Sequence, residues 1–349
     1  MTLRSLVALA TLTFTLQVYA ATPVNSDQAS TNGAGTAAVT QSFAEAQKML
    51  GTVPSMLRQI PEAAVPGAWA ELRDFQMGKT TLSNKTKELI GLAVAAQIPC
   101  RYCLYFHSKV GTELNGATDA DNEAAIAISA LTRKWSTFLN GLGQDPKAFQ
   151  RDLDRMTKTL MRQTQANASR GTESGATSSA ATSSSTAEVP RPTVVSSADE
   201  VYREAKKMWG FVPEFIAKYP KQGITGAWNE YNGIMFDPAS KLTMKDRSLI
   251  SLAVASQIPC AYCVTMDKTE LRSHGATEAE INEAIAMAAA TRHWSTVLNG
   301  SMMDERAFRS EVDGIVTYVK NSNKGTASGT TSGTTQPPEE SSSSSGSDY

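Results

Sequence analysis

The sequence predicts an all-α protein built as two copies of one helical unit. Apolar residues recur at spacings of three and four, strand-like alternation is absent, and whole segments return at a fixed offset. "MLGTVPSMLRQIPE" at 49 returns as "MWGFVPEFIAKYPK" at 208, and "ALTRKWSTFLNG" at 130 returns as "AATRHWSTVLNG" at 289. "KELIGLAVAAQIPCRYC" returns as "RSLISLAVASQIPCAYC", and the offset is 159 or 160 throughout. A shared order of elements at a shared spacing means two lobes of one fold.

From the N-terminus, residues 1–20 read as a secretory signal peptide. Arg4 precedes an apolar run from Ser5 to Val18, and Val18-Tyr19-Ala20 is a small-x-small cleavage pattern. The run is too short for a permanent anchor. The mature chain is therefore expected to be exported, periplasmic or secreted. Residues 21–40 are rich in Ala, Thr, Ser and Gly and are expected to be disordered. Lobe one is placed at 41–163, a Ser/Thr/Ala-rich linker at 164–196, lobe two at 197–322 and a disordered tail at 323–349. The linker and tail hold too little apolar surface to offset the entropy of ordering.

Five or six helices are expected per lobe. Leu89, Leu92, Ala93 and Ala96 mark one helix face. Ser83 and Thr243 stand where N-caps are wanted, and Thr243 has Asp246 in capping-box register. Pro99 and Pro259 stop these helices and are expected to open the next. "TDADNEAAIAISALTRKWSTFL" reads as a helix capped by Thr118, and "AFQRDLDRMTKTLMRQ" closes the lobe. Trp69, Trp135, Trp228 and Trp294 recur in both lobes and are expected in the core.

The chain has 349 residues, with 33 basic and 34 acidic side chains. That balance excludes the concentrated basic surface a nucleic-acid partner requires. All four cysteines lie in two C-x-x-C pairs, Cys100/Cys103 and Cys260/Cys263. If a helix starts at Pro99, Cys100 and Cys103 share a face in its first turn, and His107 lies on that face too. A helix start offers free N–H groups and a positive dipole end, which favour thiolate over thiol. A thiolate attacks peroxides and disulfides, and a second cysteine resolves the sulfenic acid. Imidazole handles the protons near neutral pH. Glu88, twelve residues before Cys100, reaches the site if its helix packs on the next. Leu104, Tyr105 and Phe106 are candidates to line a pocket.

Glu88, eleven intervening residues, then Cys100, Cys103 and His107 form a pattern far more specific than a lone C-x-x-C. It resembles the alkylhydroperoxidase D-like (AhpD-like) branch of the carboxymuconolactone decarboxylase superfamily, here as a tandem repeat. The resemblance covers most of both lobes. It implies an all-helical, homo-oligomeric protein and a thiol-dependent peroxidase. By resemblance Cys103 attacks the peroxide, Cys100 resolves it, and Glu88 with His107 relays protons. The expected partners are a small hydroperoxide substrate and an unknown thiol or dithiol reductant, with no cofactor and no metal. Tyr102 and Tyr262 stand where some members carry another histidine.

Lobe two keeps both thiols but has Ser248 for Glu88 and Asp267 for His107. A carboxylate beside a thiol raises its pKa, so the second site is expected to be degenerate. His274 and His293 fall elsewhere in the repeat. Other readings are an exported thiol–disulfide oxidoreductase, a non-catalytic scaffold or binding protein, and lactone decarboxylation as in the superfamily's name. Structural disulfides, or a zinc site using four thiolates, are the non-redox readings of the cysteines.

Overall fold

A computed structural model describes residues 27–173 and 193–328, and among them are thirteen α-helices and no strand. The signal peptide expected at 1–20, most of the linker, and residues 329–349 of the tail lie outside the described residues. No helix among the described residues is long and apolar enough to cross a membrane.

Lobe one holds α1 (Asp27–Leu50), α2 (Val65–Ala70), α3 (Asn84–Gln97), α4 (Arg101–Asn115), α5 (Asp119–Leu142) and α6 (Pro146–Glu173). Lobe two holds α7 (Ala198–Trp209), α8 (Glu214–Lys218), α9 (Lys221–Met235), α10 (Met244–Gln257), α11 (Ala261–Ser273), α12 (Glu278–Gly300) and α13 (Glu305–Ser328). Three expected boundaries differ. Residues 27–40, read as disordered, form the first half of α1. Residues 164–173, read as linker, continue α6, and 323–328, read as tail, continue α13. In each case the polar sequence prolongs a helix that is anchored by its apolar half.

The caps explain where the central helices start. Ser83 accepts from the Thr86 N–H, and Thr118 and Thr243 form reciprocal capping boxes with Asp121 and Asp246. The prolines sit two residues before the helices they were expected to open. Cys100 is the N-cap of α4 and Cys260 the N-cap of α11, so Pro99 and Pro259 lie just outside those helices.

Helix α3 is not amphipathic as its Leu/Ala spacing suggested, because every residue from Thr86 to Ala95 is buried. The reason is tertiary. Helix α3 packs on α4 and α5 of its own lobe and on α10 and α12 of the other; α10 does the same in reverse. A helix covered on all sides has no solvent face to show. The last helices are exchanged: α13 packs on α4 and α1, while α6 packs on α11 and α7. The lobes are therefore not separate beads on a linker. They form one interlocked pseudo-twofold body, pinned by buried polar contacts such as that of Asp121 in lobe one with Ser240 of lobe two (3.1 Å).

Candidate active site

The site in lobe one is assembled where α3 runs against α4. Both cysteines are buried, Cys100 0 % and Cys103 4 % exposed, and they are joined as a disulfide with Cα atoms 5.3 Å apart. The Cys103 N–H donates to Cys100 Sγ at 3.2 Å, so sulfur takes the part an N-cap oxygen usually plays. The dipole and this N–H both favour negative charge on Cys100.

Glu88 and His107 meet. Glu88 Oε2 lies 2.7 Å from His107 Nδ1, and the two residues are 6 % and 7 % exposed. With Nδ1 engaged by the carboxylate, Nε2 is the nitrogen free for other chemistry. Two glycines make room. A Cβ on Gly91 would overlap the imidazole, and one on Gly111 would crowd Glu88 Cβ at 3.2 Å.

Cys103 and His107 line a cavity of about 30 Å³ with Met56, Leu72, Gln76 and Phe106 of lobe one. Its other wall comes from lobe two: Thr291, Trp294 and Leu298 of α12, and Phe308 of α13. Trp294, expected as plain core, is thus part of the site wall. Of the three candidate lining residues, Phe106 faces this cavity, whereas Leu104 and Tyr105 line a separate surface groove with Arg101, Lys109 and Arg309. Residues 63–144 and 223–301 match the family model of the carboxymuconolactone decarboxylase family. Both lobes belong to this family. No curated protein and no solved structure gives a significant match to the chain.

The second carboxymuconolactone decarboxylase lobe keeps the sulfur geometry and loses the rest. Cys260 and Cys263 are disulfide-bonded, with Cα atoms 5.3 Å apart, and the Cys263 N–H donates to Cys260 Sγ at 3.2 Å. Each pair is closed on itself, so the four sulfurs do not converge as a zinc site would require. Ser248 stands for Glu88, Asp267 for His107, Ser251 for Gly91 and Leu271 for Gly111. The exchange is coordinated: Ser251 Oγ donates to Asp267 Oδ2 at 3.0 Å and meets Thr132 Oγ1 of lobe one at 3.0 Å. The space that holds an imidazole in lobe one holds this hydroxyl in lobe two. Phe215 replaces Met56 and lies 6.2 Å from the Trp135 ring and 6.1 Å from Phe149.

Asp267 differs from the sequence expectation in one respect. Burial, with the nearby Glu270 carboxylate, pushes it well above the usual carboxylate range despite the Ser251 bond. Burial also pushes Glu270 up to about 7. The surroundings of Asp267 thus favour its protonated form, the opposite of a carboxylate that repels a Cys263 thiolate by charge. The one-residue difference between the lobes is absorbed beyond the site, since the Ala117 N–H reaches Gly111 O while the Ala276 N–H reaches the equivalent Leu271 O.

Proposed function

We propose that the chain is a thiol-dependent peroxidase whose chemistry resides in lobe one, in the manner of the AhpD-like branch. The observation that carries this reading is the placing of Cys103 and His107 on one small cavity, with His107 held by buried Glu88. A water needs roughly 10–15 Å³ on this measure of volume. A cavity of about 30 Å³ thus admits a group of two heavy atoms, the size of a peroxide O–O. The deep burial of Cys103 disfavours attack on disulfides of folded proteins.

In the reduced protein His107 takes the Cys103 proton. The thiolate attacks one peroxide oxygen, forming an S–O bond as the O–O bond breaks. Sulfur is oxidised by two electrons to the sulfenic acid, and the leaving alkoxide or hydroxide takes the proton from His107. The Cys100 thiol then displaces water from the sulfenic sulfur and closes the disulfide. An external dithiol or two small thiols reset the pair: the first sulfur attacks Cys103, the sulfur on the cavity, and the second then displaces it as a disulfide and frees the Cys103 thiol. Cys100 leaves as a thiolate held by the Cys103 N–H and the helix dipole, and a stabilised thiolate is the faster leaving group. We also propose export from the cytosol, on the residue 1–20 pattern and the use of all four cysteines in disulfides.

The test is peroxide consumption by the fully reduced chain under single-turnover conditions. One equivalent of hydrogen peroxide should regenerate the Cys100–Cys103 disulfide, and Cys103→Ser should abolish the reaction. Equal consumption by wild type and Cys103→Ser would refute the reading.

A further inference from the structure

The wall of the cavity is apolar apart from a few groups, and one of these has no partner. Gln76 lines the cavity with Cys103 and His107, and its Nε2 is buried without a hydrogen-bond acceptor among the described residues. Buried amide donors are nearly always paired, so an orphan on a residue that shares this wall with Cys103 calls for a reason.

The backbone that carries Gln76 is also unusual. Residues Glu71–Gln76 form a π-helical turn, closed by the Met77 N–H to Leu72 O at 2.9 Å. The equivalent bond in lobe two, the Phe236 N–H to Asn232 O, is an ordinary α-helical one within the continuous α9. Single π turns are frequent at functional sites. The end of this turn is fixed from α3: the buried Lys87 ammonium donates to Phe75 O at 2.7 Å and to Gly78 O at 2.8 Å. Lys87 precedes Glu88 in the chain, so one helix positions both the Glu88 carboxylate and the Gln76 turn. In lobe two the position of Gln76 is occupied by Met235, which has no donor. The π turn and the donor are both absent from the lobe that lacks Glu88 and His107.

We infer that the Gln76 amide is a substrate-contacting hydrogen-bond donor, which holds the peroxide and stabilises its departing oxygen as the O–O bond breaks. This rests on the peroxidase reading above and adds a residue to it. While sulfur and oxygen exchange the electron pair, negative charge builds on the leaving oxygen. A preorganised donor in an apolar cavity is worth most at that moment. Gln76 moves no proton; that role stays with His107.

The experiment compares the full reduced chain with Gln76→Met, the residue lobe two uses, and with Gln76→Asn, which keeps a donor on a shorter stem. Two rates are read: hydrogen peroxide oxidation of Cys103, and iodoacetamide alkylation of Cys103 across pH, which reports thiolate without a peroxide. The expected result for Gln76→Met is a peroxide rate lower by about a hundredfold with an unchanged alkylation profile. Gln76→Asn should fall between it and wild type. Gln76→Leu replaces Gln76→Met if the latter does not fold. An unchanged peroxide rate overturns the Gln76 role alone. A parallel fall of both rates also overturns it, since Gln76 would then act on the thiol. A wild-type protein that alkylates at Cys103 but ignores peroxide overturns the peroxidase reading and this role with it.

Discussion

Replacing Gly91 by alanine places a methyl group where the His107 imidazole lies. Helix α3 cannot retreat, because it is buried on all sides from Thr86 to Ala95. The ring must turn away and give up its 2.7 Å contact with Glu88. A hydrogen bond to a charged group is worth about 1.5–3 kcal/mol, and an off-rotamer ring adds about 0.5–1.5 kcal/mol. The better helix propensity of alanine returns about 1 kcal/mol. The net is a destabilisation of about 1–3 kcal/mol, or several degrees in Tm for a chain of this size. Loss of a positioned general acid–base lowers the peroxide rate by about 10²–10⁴. Differential scanning calorimetry and stopped-flow peroxide oxidation read the two effects. The triple variant Glu88→Ser, Gly91→Ser, His107→Asp recreates the lobe two set, so it should regain stability and stay inactive. A Gly91→Ala protein as stable and as fast as wild type would refute the packing argument.

Further outcomes follow from the buried charges and the shared wall. Burial alone would raise Asp121, but the Lys85 ammonium and the Thr118 N–H and hydroxyl outweigh it and hold the carboxyl down to about 2. The unfolded value is near 3.9, so this group contributes about 2 kcal/mol above that pH, lost as pH falls through about 2. Asp121→Asn should flatten acid unfolding between pH 5 and 2, followed by circular dichroism. Asp267 has the opposite sign: its raised folded pKa favours the native state at low pH and penalises it once the unfolded carboxyl has ionised. Asp267→Asn should therefore gain stability over wild type as pH rises above the unfolded carboxyl's value of about 3.9, and a pH-independent difference in Tm would contradict the assignment. Lys87→Met leaves the carbonyls of Phe75 and Gly78 unpaired and should lower Tm and loosen the Gln76 turn. Trp294→Ala, in lobe two, should open the cavity over Cys103 and destabilise by about 3–5 kcal/mol. It should also speed turnover of bulky hydroperoxides relative to hydrogen peroxide, measured as a ratio of rates.

Much of this architecture was legible in the sequence because it is written in local spacing. The repeat, the caps at Ser83, Thr118 and Thr243, and the convergence of Glu88 with His107 depend on residues within one or two helices of each other. What was not legible depends on the partner lobe or on backbone detail. Helix α3 looked amphipathic because its spacing gave no sign that α10 and α12 would cover the remaining faces. Trp294 and Phe308 could not be assigned to the lobe one site without knowing that the last helices are exchanged. Gln76 carries no spacing signal, since a π turn aims it. The replacement of Gln76 by Met235 across the repeat was the one visible hint. The raised pKa of Asp267 likewise follows from burial, which a spacing pattern does not report.

The most direct measurement is the fate of each sulfur in the reduced Cys100→Ser chain exposed to hydrogen peroxide and dimedone, read by mass spectrometry. The account predicts a dimedone adduct at Cys103, none at Cys260 or Cys263, and loss of the Cys103 adduct when Glu88→Gln or His107→Ala is added. Equal labelling in both lobes, or labelling confined to lobe two, would contradict it.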